Sequence, residues 1–330
     1  MTTTNANNTH PFEKLTPDFI MDAVESCGFR CDCRVLTLNS YENRVYQVGI
    51  EEQPPLIVKF YRPGRWNRRQ ILEEHRFLAE LAEHELPVIP PLADHRGRTL
   101  QHFADLDFSL SPRQGGQAPE LDNLDHLESI GRALGRIHAI GAIRPFTWRP
   151  VLDSDSYGHQ SVSFISDGFI PPEYRESYRA LTRDLLLLID QHFARIPDIR
   201  RIRTHSDCHS GNILWRDQVP YFVDFDDARM APAVQDLWML LSGPVAQQRR
   251  QLERIMTGYE EFFDFDRREL QWIEALRTLR MLNFSAWLAR RWSDPAFVRA
   301  FPWFNSIRYW GEHILELREQ MAALQEPCLL

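Results

Sequence analysis

The stretch Thr204-His205-Ser206-Asp207-Cys208-His209-Ser210-Gly211-Asn212 carries a histidine, an aspartate and an asparagine in the order H-x-D-x-x-x-x-N. That spacing suits phosphoryl transfer to a hydroxyl. The reaction needs a carboxylate beside the acceptor hydroxyl, to orient it and take its proton, and Asp207 fits that role. It also needs an oxygen ligand a short loop away, to hold a magnesium ion on the phosphates, and Asn212 fits that one. Ile213-Leu214-Trp215, a turn around Asp217-Gln218 and Tyr221-Phe222-Val223 then read as a buried hairpin that ends at Asp224. Mg2+ is a hard ion that takes oxygen, so Asp224, Asn212 and the phosphates form a sensible set. Asp226 and Asp227 carry less weight, as sources of a water-mediated contact.

The loop admits two other readings. An Asp-rich segment can simply cap helices and make turns. His205, Cys208 and His209 could suggest zinc, but a fourth ligand is missing and the hairpin and Asp224 would have no role. His205 reads as a hydrogen-bonded scaffold for the loop rather than a proton carrier.

A phosphotransferase also needs a cation on the α- and β-phosphates, delivered from a strand. Leu56-Ile57-Val58-Lys59-Phe60 offers Lys59, a lone cation in an apolar run that needs a partner. Taken alone, Lys59 would be read as a strand-edge or snorkelling lysine. The following helix offers Glu74 as its partner, with Glu73 second. No G-x-G-x-x-G loop precedes Lys59; the hairpin Asn39-Ser40-Tyr41-Glu42-Asn43-Arg44 stands in its place. Its backbone N–H groups and the Ser40 hydroxyl could meet phosphate oxygens, although a plain polar turn would look the same.

These groups need a frame. Thr16-Pro17 can open a helix that ends near Gly28, and the runs 30–38, 43–50 and 56–61 read as short strands. Asn67 can cap a helix through about Glu83, with Ile71, Leu72, Phe77, Leu78 and Leu81 at helical spacing. The segment 99–110 reads as two more strands. Ser111-Pro112-Arg113-Gln114-Gly115-Gly116 is the candidate hinge, and the chain beyond it is mostly helical. Helices are expected near 122–140, 172–195, 231–242, 245–263, 267–291 and 305–324, with the one β interruption at 201–224. The expected plan is α+β and two-lobed. It has a loose tail over 1–15, a small antiparallel-sheet lobe with one key helix over 16–110, a hinge over 111–116 and a larger helical lobe over 117–330.

Composition narrows the partners. A net charge of −8 without a basic block argues against nucleic acid. The longest aliphatic run, Leu185 to Ile189, is far short of the ~20 residues that span a bilayer. Five cysteines, an odd number, suit a reducing cytoplasm, and Cys27, Cys31 and Cys33 lack metal-binding spacing. A monomer is expected. The tryptophans 287, 292, 303 and 310 read as core rather than interface.

The set Ser40-Tyr41-Glu42-Asn43-Arg44-Val45-Tyr46, Lys59, His205-x-Asp207-x4-Asn212 and Asp224 resembles the aminoglycoside phosphotransferase/choline kinase group, which has a protein-kinase-like fold. Val58 to Pro63, Ile71 to His75, Gly211 to Asp217, Asp226 to Arg229, Val234 to Leu241 and Arg290 to Phe297 resemble, more closely, a bacterial stress-response kinase branch of that group. The resemblance implies an ATP-dependent Ser/Thr protein kinase of the cytoplasm, linked to oxidative and envelope stress. By position it makes Asp207 the proton acceptor, gives magnesium to Asn212 and Asp224, and sets Ser40 against ATP. The wider group also contains small-molecule kinases, so a choline-, homoserine- or aminoglycoside-type hydroxyl kinase is the alternative. A non-catalytic ATP-binding scaffold is a third reading, which the intact Lys59, Asp207, Asn212 and Asp224 oppose. Asp224 is followed within a dozen residues by the helix 233–241, which leaves no room for an activation segment ending in A-P-E. Asp236 in that helix is expected to buttress the loop.

Overall fold

Alternation along Leu56-Ile57-Val58-Lys59-Phe60 decides which way Lys59 points. In a strand, successive side chains face opposite sides. Leu56, Val58 and Phe60 are buried, and the computed structural model, which describes residues 11–326, packs them with Ile20, Val24 and Phe108 in one apolar core. Lys59 therefore leaves from the other face of the strand.

The chain divides into two compact units. One holds the described residues through Gln117 together with Leu214–Asp226, and the other holds Ala118–Ile213 and the chain from Asp227 onward. The first unit contains α1 (Pro17–Glu25), β1 (Cys31–Leu38), β2 (Arg44–Ile50), β3 (Gln53–Phe60), α2 (Arg68–Glu83), β4 (Gln101–Phe103) and β5 (Leu106–Pro112). The sheet is antiparallel in the order β1-β2-β3-β5-β4, so Lys59 sits on the central strand, opposite Val45 on one side and Ser109 on the other. The expected loose tail falls, over 1–10, outside the described residues. Pro11–Lys14 form a 3-10 turn, with Phe12 buried.

Helix α2 is set by its first residues. Asn67 Oδ1 accepts from the Gln70 N–H at 3.1 Å and Gln70 Oε1 accepts from the Asn67 N–H at 3.0 Å, a reciprocal cap. The helix then buries Ile71, Glu74, Phe77, Leu78 and Leu81, a stripe that includes one acid. That register puts Glu74, not Glu73, on the buried face.

The hairpin β7 (Ile213–Arg216) and β8 (Val219–Phe222) turns through Asp217 and Gln218, both with positive φ (51° and 62°), the backbone a tight two-residue hairpin requires. Backbone hydrogen bonds fasten it to the first unit: Trp215 N to Gln117 O at 2.7 Å and Phe222 N to Pro87 O at 2.8 Å. Ser111 and Pro112 of the expected hinge complete β5. Gly116 lies so close to Leu214 that an added Cβ would sit 3.0 Å from its carbonyl carbon.

The second unit holds α3 (Leu124–Gly141), α4 (Gln160–Gly168), α5 (Arg175–Arg195), β6 (Ile202–Thr204), β9 (Arg229–Ala231), α6 (Val234–Trp238), α7 (Val245–Tyr259), α8 (Ile273–Arg290), α9 (Pro295–Ala300) and α10 (Ile307–Gln325). Helices α3 and α7 cross closely because glycines line the contact. A Cβ on Gly131 would lie 2.0 Å from Ile255 O, and one on Gly258 2.1 Å from Glu128 O.

Several elements differ from those the sequence pattern suggests. The helix expected over 231–242 is only Val234–Trp238, because Arg229–Ala231 form β9 and pair with β6. The β interruption therefore extends past Asp224. The helix expected over 267–291 opens as a 3-10 turn, Arg267–Trp272, before α8. Helix α4, with the π-helical turn Asp155–His159 before it, and helix α9 were not anticipated. Helix α9 is short and depends on Asp294, whose Oδ1 accepts from the Ala296 N–H at 2.9 Å. Trp310 is fully buried, whereas Trp303 is 45% exposed. No helix among the described residues is long and apolar enough to cross a membrane.

Candidate active site

Strand β6 ends at Thr204, and the loop that follows is held by its backbone. Asp236 is fully buried on α6. Its Oδ2 accepts from the His205 N–H at 2.8 Å and its Oδ1 from the Ser206 N–H at 2.7 Å. His138 Nε2 lies 3.0 Å from Oδ2, and His138 Nδ1 lies 2.7 Å from the Tyr259 hydroxyl. His138 belongs to α3 and Tyr259 to α7, so the close glycine crossing of those helices sets the far end of this chain of bonds. Gln235 Nε2 adds a bond to Ser206 O at 2.9 Å. Ser206 has a φ of 67°, a left-handed conformation that costs a non-glycine residue about 1 kcal/mol, and this clamp maintains it. His205 is fully buried, and its Nδ1 accepts from the Asp207 N–H at 3.3 Å, a scaffolding contact.

Asp207 is partly exposed, and both of its oxygens meet donors. Arg280 Nη1 donates to Oδ1 at 2.6 Å, Asn212 Nδ2 lies 3.4 Å from Oδ2, and His209 Nε2 lies 3.6 Å from Oδ2. Asn212 Nδ2 also donates to Asp207 O at 2.9 Å. With its nitrogen bonded to the loop, the Asn212 amide has its oxygen, a hard donor atom, left for other partners. Cys208 is fully buried; burial first, and then the Asp236 and Asp207 carboxylates, push its thiol well above the ordinary value. Asp227 is engaged by Arg229 Nη2 at 2.8 Å, and the Arg229 guanidinium lies 4.8 Å from the centre of the Tyr157 ring.

In the first unit, Lys59 Nζ gathers three carboxylates: Asp226 Oδ1 at 3.1 Å, Asp224 Oδ1 at 3.3 Å and Glu74 Oε1 at 3.8 Å. Burial would depress the ammonium, but Asp226, Glu74 and Asp224 outweigh it and hold Lys59 well above the ordinary lysine value. Glu74 is thus one of three partners rather than the sole one, and Asp226 is nearer. Asp226 Oδ2 also meets Arg65 Nη1 at 2.8 Å, and Arg65 meets Glu42 Oε2 at 3.0 Å. Glu42 Oε1 lies 3.2 Å from Arg62 Nε, and the Arg62 N–H donates to Asn43 Oδ1 at 3.0 Å. This buried network ties the loop before β2 to the residues after β8. Ser40 Oγ donates within that loop, to Asn43 O at 3.3 Å. Asp224 is the more exposed carboxylate, and its φ of 59° is left-handed.

The sequence reading named Ser40, Lys59, Glu74, Asp207, Asn212 and Asp224. It missed Arg280 and Arg65 entirely and underweighted Asp226. Arg280 stands 73 residues from Asp207 on a distant helix, and no local pattern links the two. Arg65, in a turn before α2, has the composition of a surface turn. Among the described residues, no group of three or more His, Cys, Asp or Glu is arranged to hold a metal ion by itself. A magnesium ion that keeps water and phosphate oxygens needs only one or two protein oxygens, and the amide of Asn212 and the carboxylate of Asp224 are each donors of the type it takes.

Residues 34–273 match the family described as the phosphotransferase enzyme family. The chain is 45% identical, over 98% of its own length and 98% of the relative's, to a protein of Escherichia coli K12 named stress response kinase A. It is 44% identical, with the same coverage, to a Salmonella typhimurium LT2 protein named serine/threonine protein kinase RdoA. Among solved structures, it is similar to the amicoumacin kinase hAmiN in complex with AMP-PNP, Ca2+ and Ami, with a TM-score of 0.71, 17% identity and 94% of each chain covered. It is also similar to a microcompartment-associated aminopropanol kinase, with a TM-score of 0.68, 17% identity, and 94% of this chain and 97% of that one covered. At that identity, the structural likeness speaks for the fold alone.

Proposed function

The chain belongs to the phosphotransferase enzyme family, and on that premise we propose that it is an ATP-dependent Ser/Thr protein kinase of the stress response kinase A type. The observation that carries the reading is the carboxylate of Asp207, set on a loop whose backbone Asp236 holds by two N–H bonds.

Asp207 orients the acceptor hydroxyl and takes its proton as the oxygen forms its bond to the γ-phosphorus. The bond from that phosphorus to the bridging oxygen breaks, and ADP leaves. Lys59, held by Asp226 and Glu74, meets the α- and β-phosphates, and the loop containing Ser40 lies against the nucleotide. Magnesium, bound with ATP, would neutralise charge on the phosphates, and Asn212 and Asp224 are the side chains that would hold it. In this reading residues 16–110 bind the nucleotide, 111–116 act as a hinge, and 117–330 carry the acceptor. The protein is a cytoplasmic monomer acting in oxidative and envelope stress.

The test is transfer of labelled γ-phosphate to the protein itself and to a general protein acceptor, beside a panel of small alcohols. Phosphoserine or phosphothreonine is expected, and Asp207→Ala should lower its formation by about 10²–10⁴-fold while ATP binding persists. Labelling of small alcohols alone would replace this reading with a small-molecule kinase. Binding of ATP with no transfer to any acceptor would leave a scaffold.

A further inference from the structure

The charge beside Asp207 bears on which hydroxyls can reach it. Arg280 Nη1 donates to Asp207 Oδ1 at 2.6 Å, and its side chain remains 39% exposed. A guanidinium has five N–H donors in a planar fork and no acceptor. One of them is committed to the carboxylate, and the exposed part of the fork still has donors to offer. One helical turn earlier on the same face of α8, Arg277 lies over the Trp238 ring at 5.4 Å and meets Glu274 at 3.4 Å. Asp227 is engaged by Arg229. Among the contacts described for residues 11–326, Asp207 is the carboxylate that meets Arg280, and the guanidinium beside it stays partly open to solvent.

We propose that Arg280 is a specificity-determining residue: it selects acceptors that carry a carboxylate or carbonyl oxygen beside the reacting hydroxyl and rejects those that carry an ammonium there. A hydroxyl that reaches Asp207 brings its neighbouring atoms against Arg280. An oxygen in that position accepts a charge-assisted hydrogen bond, while an ammonium meets a like charge and has no lone pair to offer. A serine in a chain supplies carbonyl oxygens on both sides of its hydroxyl, and a flanking aspartate adds a charge. This rests on the reading of Asp207 as the base, and it narrows the substrate class to neutral or acidic hydroxyl acceptors.

The experiment uses the full chain with two pairs of probes. One pair is a serine peptide with aspartates or with lysines on either side of the serine; the other is glycerate and ethanolamine. In the wild type, kcat/KM should favour the acidic member of a pair by at least about tenfold. The preference should vanish in Arg280→Gln and reverse in Arg280→Glu. It should also shrink in the wild type as salt rises toward 1 M, because a partly exposed charge is screened. The salt measurement needs no variant and holds even if a substitution unfolds the chain. A wild type with no charge preference, or a preference unchanged in Arg280→Gln, overturns the proposal. If only the small alcohols are phosphorylated, the protein-kinase reading fails, yet the ratio of glycerate to ethanolamine still decides the role of Arg280. Absence of transfer to all four probes and to the protein itself overturns both.

Discussion

Lys59 Nζ lies 3.1 Å from Asp226 Oδ1, nearer than the 3.8 Å that separates it from Glu74. Asp226 is 5% exposed and shares its other oxygen with Arg65, so two cations depend on one buried carboxylate. Asp226→Asn keeps the shape and removes the charge. Removing that charge takes the nearest carboxylate from both buried cations, and about 3 kcal/mol of stability should be lost. Urea unfolding of the two proteins measures it. A midpoint unchanged within error would mean that Glu74 and Asp224 suffice for Lys59 and Glu42 for Arg65.

The Asp236 clamp makes a second prediction. Asp236→Ala leaves the His205 and Ser206 N–H groups without their acceptor, and His138 Nε2 loses the carboxylate it meets. Each buried polar group left unmade costs about 1–3 kcal/mol, so a loss of at least ~3 kcal/mol is expected, with kcat down more than tenfold. Asp236→Asn retains one acceptor oxygen and should lose less of both. Equal losses in the two variants would show that charge, not the pair of backbone bonds, is what the loop needs.

Helix α6 also sets a pH dependence. Glu269 Oε2 accepts from the Val234 N–H at 2.8 Å, at the start of the helix that bears Asp236. Burial raises the Glu269 carboxyl from 4.5 to about 7, against the opposing pull of that N–H. Between these values the folded chain holds a proton that the unfolded chain has released. The stability tied to this proton is fully present below 4.5 and is lost as the pH rises through about 7. The loss is on the order of 3 kcal/mol. Glu269→Gln, always neutral, should remove that fall. Melting curves between pH 5 and 8 check it, and parallel slopes in the two proteins would refute it.

Asn212 and Asp224 make the metal dependence testable. Asn212→Ala and Asp224→Asn should each raise the Mg2+ concentration needed for half-maximal transfer by at least the roughly tenfold that even an outer-shell change costs. Titration of Mg2+ at saturating ATP gives the number, and equilibrium binding of Mg2+-ATP gives a second readout that does not depend on turnover. A variant with an unchanged requirement in both would strike that residue from the ligand set.

What could be read in advance follows from distance along the chain. The period-two alternation around Lys59 and the Asn67–Gln70 cap are local, so their residues announce them. The loop from His205 to Asn212 is local as well. Arg280 meets Asp207 only because α8 is packed where it is, and no spacing of residues encodes that. Asp226 looked like one more acid in an acidic run; its importance comes from Arg65 and Lys59, which are far from it in sequence. Strand β9 is three residues long, too short for a period to show, and its pairing with β6 shortened the helix expected there.

Cys208 stands next to Asp207 in the chain, fully enclosed, with its proton held tightly by burial and two nearby acids. Peroxide and disulfides react with the thiolate, and a thiol in that state offers almost none. The loop thus carries sulfur beside the carboxylate proposed as the base without inheriting sulfur's vulnerability. Oxidants that disable exposed thiols should therefore leave phosphate transfer running, as long as the loop stays folded around Cys208.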